Sequence, residues 1–520
     1  MVMSPDSSTV RPTAEMWYQS AIWFVLCIGF TLRVCNLGLL PPFLDESGVL
    51  NAALNYDIHP VMERLFLGKY FGYLVQRPVL EFANDPIWAG RALSAIFGFL
   101  AALVASKTVH RLADSRAALT CAVLMALGPQ LVFHDRLALP ESLAVFLSAA
   151  ACLAWLLGRQ EHRIGYLLLA GVAIACACAT KVYTAPVFLL IPLLGCQNKD
   201  GISRFFKTEL RPIILGFAAA SAIILLTALD QTWAMGLSLE KLLQMPLMIV
   251  GNSGVAPSFG QRLVNAAGFF SGFLPVTFWL LLATALFTEP AFRKIVLGSL
   301  TAFAVVFLLY TIAFRTFAAS RYFNVLWLPA AIGIGLSAGQ SFDGQKATAP
   351  LWRIWGGYLQ LGLLGIVAFQ FTWRDTALLI KPESFRLPHS DYYQYFSGWP
   401  SGRGLHEVSE FLQTRSLESG KPMLVLTLMG FRHGNISLPV LTRKNPSIRY
   451  MAVWEGNDFA VTHLPTWLRG NLVFVVVEPM GTPVDFQKTK AAGFRSTLEY
   501  SAPDFEGSPG YRVFQLTQTP

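Results

Sequence analysis

The chain has 520 residues, 54% of them hydrophobic and 14% charged, with 39 Phe and 13 Trp, against about 45–50% apolar and about 25% charged in ordinary soluble domains. A disordered chain, a small disulfide scaffold and a cytosolic enzyme are excluded, and a membrane protein is implied. The formal charge of +9 does not imply nucleic acid: residues 385–520 carry 13 Lys/Arg against 11 Asp/Glu, so most of the excess lies in the apolar part, where basic loops orient spans.

In chain order, uninterrupted apolar segments predict spans near 17–35, 87–107, 117–133, 140–157, 164–180, 183–196, 211–230, 264–287, 295–314, 321–338 and 354–373. The resulting fold class is a multi-span α-helical membrane protein of about eleven spans. The first run, Trp17 to Val34, is too long for a signal-peptide core and lacks a small-residue cleavage site, so it is a retained span behind a cytoplasmic tail, residues 1–16. With the N-terminus cytoplasmic, the short loops holding Lys107, Arg111, Arg116, Arg159, Arg163, Lys199, Arg204, Lys207, Arg211, Arg293, Lys294, Lys346 and Arg353 fall inside, as the positive-inside rule requires. The outer face then receives loop 36–86, the His134–Pro140 turn, the Lys181 corner, segment 231–262 and the Arg315–Arg321 turn. The membrane part is bounded at residues 17–375. The seven cysteines all precede residue 200, mostly within apolar runs, where Cys behaves as a small hydrophobe; no disulfide or zinc spacing is present.

From Phe385 the pattern changes. An amphipathic run Leu405–Leu412, apolar strands at Met423–Leu428, Ile448–Val453 and Asn471–Glu478, a helix around Asp485–Ala492 and a final strand Tyr511–Leu516 predict a C-terminal extracytoplasmic α/β domain over 385–520, its sheet largely parallel. Its His406, His433 and His463 have no metal spacing and read as ordinary histidines. Asn435-Ile436-Ser437 matches a glycosylation triplet, which decides nothing. The aromatic segment Asp391–Gly404, with Gly398-Trp399-Pro400, suits headgroup anchoring better than sugar contact.

Ionisable groups at the ends of apolar helices carry the functional signal, because charge near lipid is costly and is kept for pairing or for function. Asp45 and Glu46 follow the first span: Asp45 is either the cap of a helix beginning near Ser47 or a general base on the outer face. His134-Asp135-Arg136 through Pro140-Glu141 crowds four ionisable groups into one outer turn, with Glu141 in the first turn of the next helix, where negative charge is favourable. Arg91, Lys181, Arg315 and Arg321 recur at the same level. Singly each could snorkel toward water; together with carboxylates they form an anion site beside a base. Such a site suits a lipid-linked phosphate donor. The cations would stabilise the departing phosphate while a carboxylate takes the proton of the attacking hydroxyl.

Asp45-Glu46 after the first span, Gly90-Arg91-Ala92-Leu93-Ser94-Ala95, Arg136 through Glu141, Ala179-Thr180-Lys181, and Arg321-Tyr322 with Leu328-Pro329 resemble, in this order, the polyprenyl-phosphate-sugar-dependent glycosyltransferases of GT-C fold. The resemblance covers roughly residues 15–340 and points to bacterial members of the dolichyl-phosphate-mannose protein mannosyltransferase superfamily, which includes the aminoarabinose transferases. It implies Asp45 as catalytic base with Glu46 as its acidic neighbour and Glu141 as the acidic residue of the second outer turn, and donor-phosphate binding by Arg91, Arg136, Lys181, Arg321 and Tyr322. It also implies amphipathic helices in loop 36–86, for which Val61–Leu74 is a candidate. The β-trefoil insertion of the eukaryotic protein mannosyltransferases is not seen, so the resemblance does not support a protein acceptor, and the outer α/β domain leaves the acceptor open among lipid, glycan and protein.

The expected function is an integral-membrane glycosyltransferase, inverting, of the bacterial cytoplasmic membrane, taking its sugar from a polyprenyl phosphate. The alternative is a transporter or flippase of a lipid-linked anionic sugar, against which stand the lack of repeated halves and the gathering of charge at one face. The sequence specifies no certain cofactor and leaves metal dependence open; the acidic pair could hold a divalent cation through its oxygens, without a clear further ligand.

Overall fold

The computed structural model describes residues 12–54, 69–195, 201–234, 274–285, 320–343, 351–430, 432–479, 481–504 and 510–519, together with 258, 260, 297, 298 and 301. Helices in chain order are α1 (Pro12–Val34), α2 (Leu44–Leu54), α3 (Tyr70–Phe82), α4 (Pro86–Leu112), α5 (Ser115–Leu127), α6 (Pro129–Asp135), α7 (Glu141–Glu161), α8 (Ile164–Thr180), α9 (Leu210–Ala234), α10 (Trp327–Asp343) and α11 (Leu351–Ile380). Four more follow: α12 (Leu405–Ser419), α13 (His433–Leu441), α14 (Asp458–Trp467) and α15 (Phe486–Ala491). The chain divides into two compact units, one made of Met1–Asn36, Asp57–Val75 and Arg91–Pro388, the other of Leu37–Tyr56, Gln76–Gly90 and His389–Pro520.

The first unit is helical and multi-pass. Among the described residues five helices are long and apolar enough to cross a bilayer, and a sixth if the bent pair α5 and α6 counts as one span. Their outward faces carry large apolar side chains, Trp17, Trp23 and Phe24 on α1, Ile223 and Leu226 on α9, and Trp355, Phe369 and Trp373 on α11, as lipid contact requires. Two expected spans differ. Residues 117–133 are not one helix but bend by 51° at Gly128, where Pro129 cannot donate to the preceding turn. In the expected span 183–196 the described residues form a 3-10 stretch, Val182–Leu189, and a short helix, Leu190–Gly195; Pro186 and Pro192 deny that run two backbone donors. The expected span near 295–314 lies almost wholly outside the described residues, and half of that near 264–287 is described, as the helix Val276–Ala285 with its lead-in; Arg315 and most of the candidate interfacial piece 61–74 also lie outside.

Helices α8 and α9 pack backbone to backbone. A Cβ on Gly171 would strike the Ile213 carbonyl, and one on Gly216 the Leu168 carbonyl. Small residues at a crossing allow such an approach, and dispersion then holds helices that lipid would otherwise solvate equally well.

The second unit is built on a five-stranded sheet, β1 (Met423–Leu428), β2 (Ile448–Val453), β3 (Leu472–Val477), β4 (Phe494–Ser501) and β5 (Arg512–Gln518), in the order β2-β1-β3-β5-β4. β1, β2 and β3 are parallel, while β5 runs antiparallel to both β3 and β4. Alternate residues of β1 feed two cores: Met423 and Val425 join Leu405, Val408 and Leu412 of α12, and Leu424 and Leu426 join Ala460 and Leu464 of α14. Burial on both faces explains the unbroken apolar runs. Helix α2 belongs to this unit and packs along α13, and Arg443 donates to the Leu80 carbonyl at 2.9 Å. Segments of loop 36–86 are thus held by the C-terminal α/β unit.

Candidate active site

In the first unit, α7 and α8 form an antiparallel hairpin, so the residue that opens α7 and the residue that closes α8 stand at the same end. Pro140 fixes the start of α7, placing Glu141 in its first turn; Lys181 ends α8, its N–H bonded to the Ala177 carbonyl. Lys181 Nζ is 2.8 Å from Glu141 Oε1, and Arg321 Nε, from the 3-10 turn Ser320–Leu326, is 3.7 Å from the same oxygen. All three side chains are buried. Two cations on one carboxylate leave one net positive charge, which suits an anion more than a closed ion pair does.

The turn between α6 and α7 is tied to its neighbours by buried polar contacts. His134 Nδ1 is 2.8 Å from the Gln130 carbonyl, and its Nε2 is 3.3 Å from Ser320 Oγ. Gln130 donates to the Ser320 carbonyl at 2.7 Å and accepts from Trp327 Nε1 at 3.0 Å, so α6 holds the segment that carries Arg321. Asp135 Oδ2 accepts from Arg33 Nε at 2.8 Å and its Oδ1 from Ser142. Arg136 donates to the carbonyls of Leu32, Cys35 and Asn36, closing the C-terminal end of α1, whose last carbonyls have no partner within the helix. Arg136 also senses the charges of Arg91 and of the buried Asp375 from α11. Ser94, on the helix that carries Arg91, donates to the Leu139 carbonyl at 3.1 Å.

The structure therefore brings Glu141, Lys181 and Arg321 together. Arg136 donates to backbone carbonyls at the end of α1, contacts that the expected phosphate role does not include. The side chain of Tyr322 lies outside the described ones. In the second unit α2 begins at Leu44, with the Ser47 N–H bonded to the Phe43 carbonyl at 2.9 Å. Asp45 thus sits within the first turn and not at a cap before Ser47; it is partly exposed, whereas Glu46 is buried. No group of three His, Cys, Asp or Glu able to hold a metal occurs among the described residues. Sequence reasoning missed Arg33, Gln130 and Asp375. Arg33 and Asp375 had a usable signal, since each is an ionisable residue near the end of an apolar helix.

Residues 55–234 match the family model of dolichyl-phosphate-mannose-protein mannosyltransferases. Protein O-mannosyl-transferase 1 of Homo sapiens is 30% identical over 198 residues, 34% of this chain and 25% of that one, and its Mus musculus counterpart is 34% identical over 141 residues, 25% of this chain and 19% of that one. The chain thus spans about a quarter or less of the length of these curated relatives. Among solved structures, apo ArnT from Cupriavidus metallidurans superposes with a TM-score of 0.57 at 13% identity, covering 97% of this chain and 98% of that one. The same ArnT bound to undecaprenyl phosphate gives 0.57 at 14% identity, with 96% and 98% covered. Residues 55–234 thus resemble the dolichyl-phosphate-mannose-protein mannosyltransferases, and the chain as a whole shares the fold of ArnT.

Proposed function

We propose that this protein is an inverting integral-membrane glycosyltransferase that moves a sugar from a polyprenyl phosphate to an acceptor hydroxyl on the outer face of a bacterial cytoplasmic membrane. Lys181 and Arg321, oriented by Glu141, bind the donor phosphate and stabilise the charge that collects on it as the sugar departs. Arg91 and Tyr322 are assigned to the same donor phosphate. Arg136, which also supports the end of α1, is retained as a ligand of the donor phosphate. Asp45 takes the proton of the attacking hydroxyl, with Glu46 beside it. One carboxylate suffices for a single displacement, because a phosphate leaves without being protonated.

The arrangement of one buried carboxylate between two cations at a single end of the α7–α8 hairpin carries this reading, and an ArnT of the same fold with undecaprenyl phosphate bound supports the donor class. The boundaries that go with it are a cytoplasmic tail 1–16, a membrane domain 17–375 and an extracytoplasmic α/β domain 385–520, with lipid, glycan or protein as acceptor. The test is the purified protein in vesicles supplied with labelled polyprenyl-phosphate sugars and membrane extract. A covalent labelled product with release of polyprenyl phosphate is expected. Movement of the intact labelled lipid across the bilayer with no covalent product would instead identify a flippase.

A further inference from the structure

The aromatic segment before α12 and the buried histidine of α13 have no part in the chemistry so far, yet both meet the residues that lead into α2. All the contacts that follow lie within the second unit.

Pro41 and Pro42 bring the chain to Phe43 and Leu44, both buried, from which α2 starts. The Phe43 ring lies 4.6 Å from that of Tyr395. Two prolines in succession make this lead-in stiff, so a shift at Pro42 is passed to the first turn of α2, where Asp45 is. The Trp399–Ser401 3-10 turn ends at Gly402, which has φ +68. A Cβ there would strike the Pro42 carbonyl and approach His433 Cε1 at 2.9 Å. Only glycine combines that backbone with that proximity.

His433 stands beneath the turn and is fully buried. Its Nε2 is 3.0 Å from the Pro400 carbonyl and its Nδ1 2.8 Å from Ser437 Oγ. A carbonyl can only accept, so Nε2 carries the proton; in the neutral ring Nδ1 then accepts from the Ser437 hydroxyl. The backbone around it is fixed as well, because the Gly434 N–H donates to Glu478 Oε1 at 2.9 Å. Side chain, turn and lead-in are thus stacked in contact, and α2 packs along the same helix α13.

We propose that His433 is a positioning residue for Asp45: anchored at the start of α13, it fixes the Pro400–Gly402 turn against Pro42 and so sets where the first turn of α2 lies. The proposal rests on Asp45 being the general base. It gives the C-terminal α/β unit a task in the reaction, holding the base in register, and it gives the Gly398-Trp399-Pro400 segment a structural purpose beyond anchoring.

The test uses the full-length protein in vesicles, with H433A, H433Q and G402A compared with D45N. Hydrogen–deuterium exchange of the amides of residues 43–50 reports the position of α2 independently of any activity. In H433A those amides should exchange faster, and kcat for sugar transfer should fall by about tenfold to a hundredfold, the scale of a misplaced catalytic group. KM for the donor should stay within about twofold, since phosphate contacts are untouched. H433Q, whose amide N–H can still donate to the Pro400 carbonyl, should recover most of both. Unchanged exchange in 43–50, or a loss of kcat that H433Q does not relieve, would overturn the proposal. If H433A does not fold, G402A decides: it should show the same exchange signature with His433 intact, and normal exchange there would overturn the proposal. Retained transfer in D45N would remove the base assignment, while the exchange data would still say whether His433 holds α2.

Discussion

Lys181 and Glu141, forty residues apart in the chain, meet as a buried ion pair of 2.8 Å because one closes α8 and the other opens α7. Removing one member of such a pair strands the other charge, which costs more than the pair contributes. We expect E141Q to destabilise the protein by about 3–5 kcal/mol, read as a lower unfolding temperature in detergent, and to weaken donor binding as Lys181 and Arg321 lose their common orienting group. K181A should weaken binding of a polyprenyl phosphate by roughly tenfold to a hundredfold, the worth of one charge-assisted hydrogen bond. Unaltered donor affinity in K181A would remove Lys181 from the phosphate site.

The Arg33–Asp135 pair, 2.8 Å apart and almost wholly buried, is scaffold rather than chemistry. We expect D135N to cost about 3–5 kcal/mol of stability, whereas the double replacement R33M/D135L should recover most of it, because no unpaired charge remains. A thermal-unfolding double-mutant cycle checks both; an equal loss in the double variant would show that the remaining Arg33 contacts, and not the charge pair, hold α1.

The α8–α9 crossing makes a steric prediction. Since a Cβ at Gly171 or Gly216 meets backbone atoms that cannot turn aside, G171V and G216V should each lower stability by about 1–3 kcal/mol or more. G165V, at a position with open space around the built Cβ, should be nearly neutral. Equal unfolding temperatures for G171V and G165V would contradict the close packing.

Much of this architecture was legible in the sequence, for reasons that differ by element. The long apolar runs of α4, α7 and α11 declare themselves because lipid demands about twenty apolar residues in a row. The parallel strands β1 and β3 were visible for the same kind of reason, burial on both faces, and the edge strand β2 as a short apolar run despite its exposed Arg449. β4 was not, because Phe494–Ser501 is a half-exposed edge strand of mixed polarity. Asp45, Glu141, Lys181 and Arg321 were singled out as charges at span ends; Glu141 and Lys181 meet through the α7–α8 hairpin, and Arg321 joins them from the Ser320–Leu326 turn that α6 holds. The contacts of Arg136 with the carbonyls of α1 were not legible: a guanidinium that closes off the carbonyls of another helix has the same sequence signal as one that binds phosphate. The membership of α2 in the C-terminal unit was equally hidden, since it depends on pairing across some 380 residues of chain, and apolar periodicity does not encode partners.

The outer unit should respond to pH through Glu478. Burial raises this carboxyl to about 7, opposed only in part by the N–H groups of Gly434 and His433 and by Arg432. The folded form therefore holds a proton that the unfolded chain, with Glu near ~4.3, has released. Between those values the folded state binds more protons, so stability is fullest below the unfolded pKa, falls as pH rises toward about 7, and levels off above. E478Q should flatten that slope. Unfolding temperatures of both proteins from pH 4.5 to 8 check this, and an unchanged slope in E478Q would contradict the assignment.

The most direct measurement is sugar transfer by D45N in reconstituted vesicles, with donor binding followed separately. We expect transfer to fall by about a hundredfold to ten-thousandfold, the usual contribution of a general base, while affinity for the polyprenyl-phosphate sugar is kept. Transfer at the wild-type rate would show that the proton is taken by another group and that Asp45 has no part in the reaction.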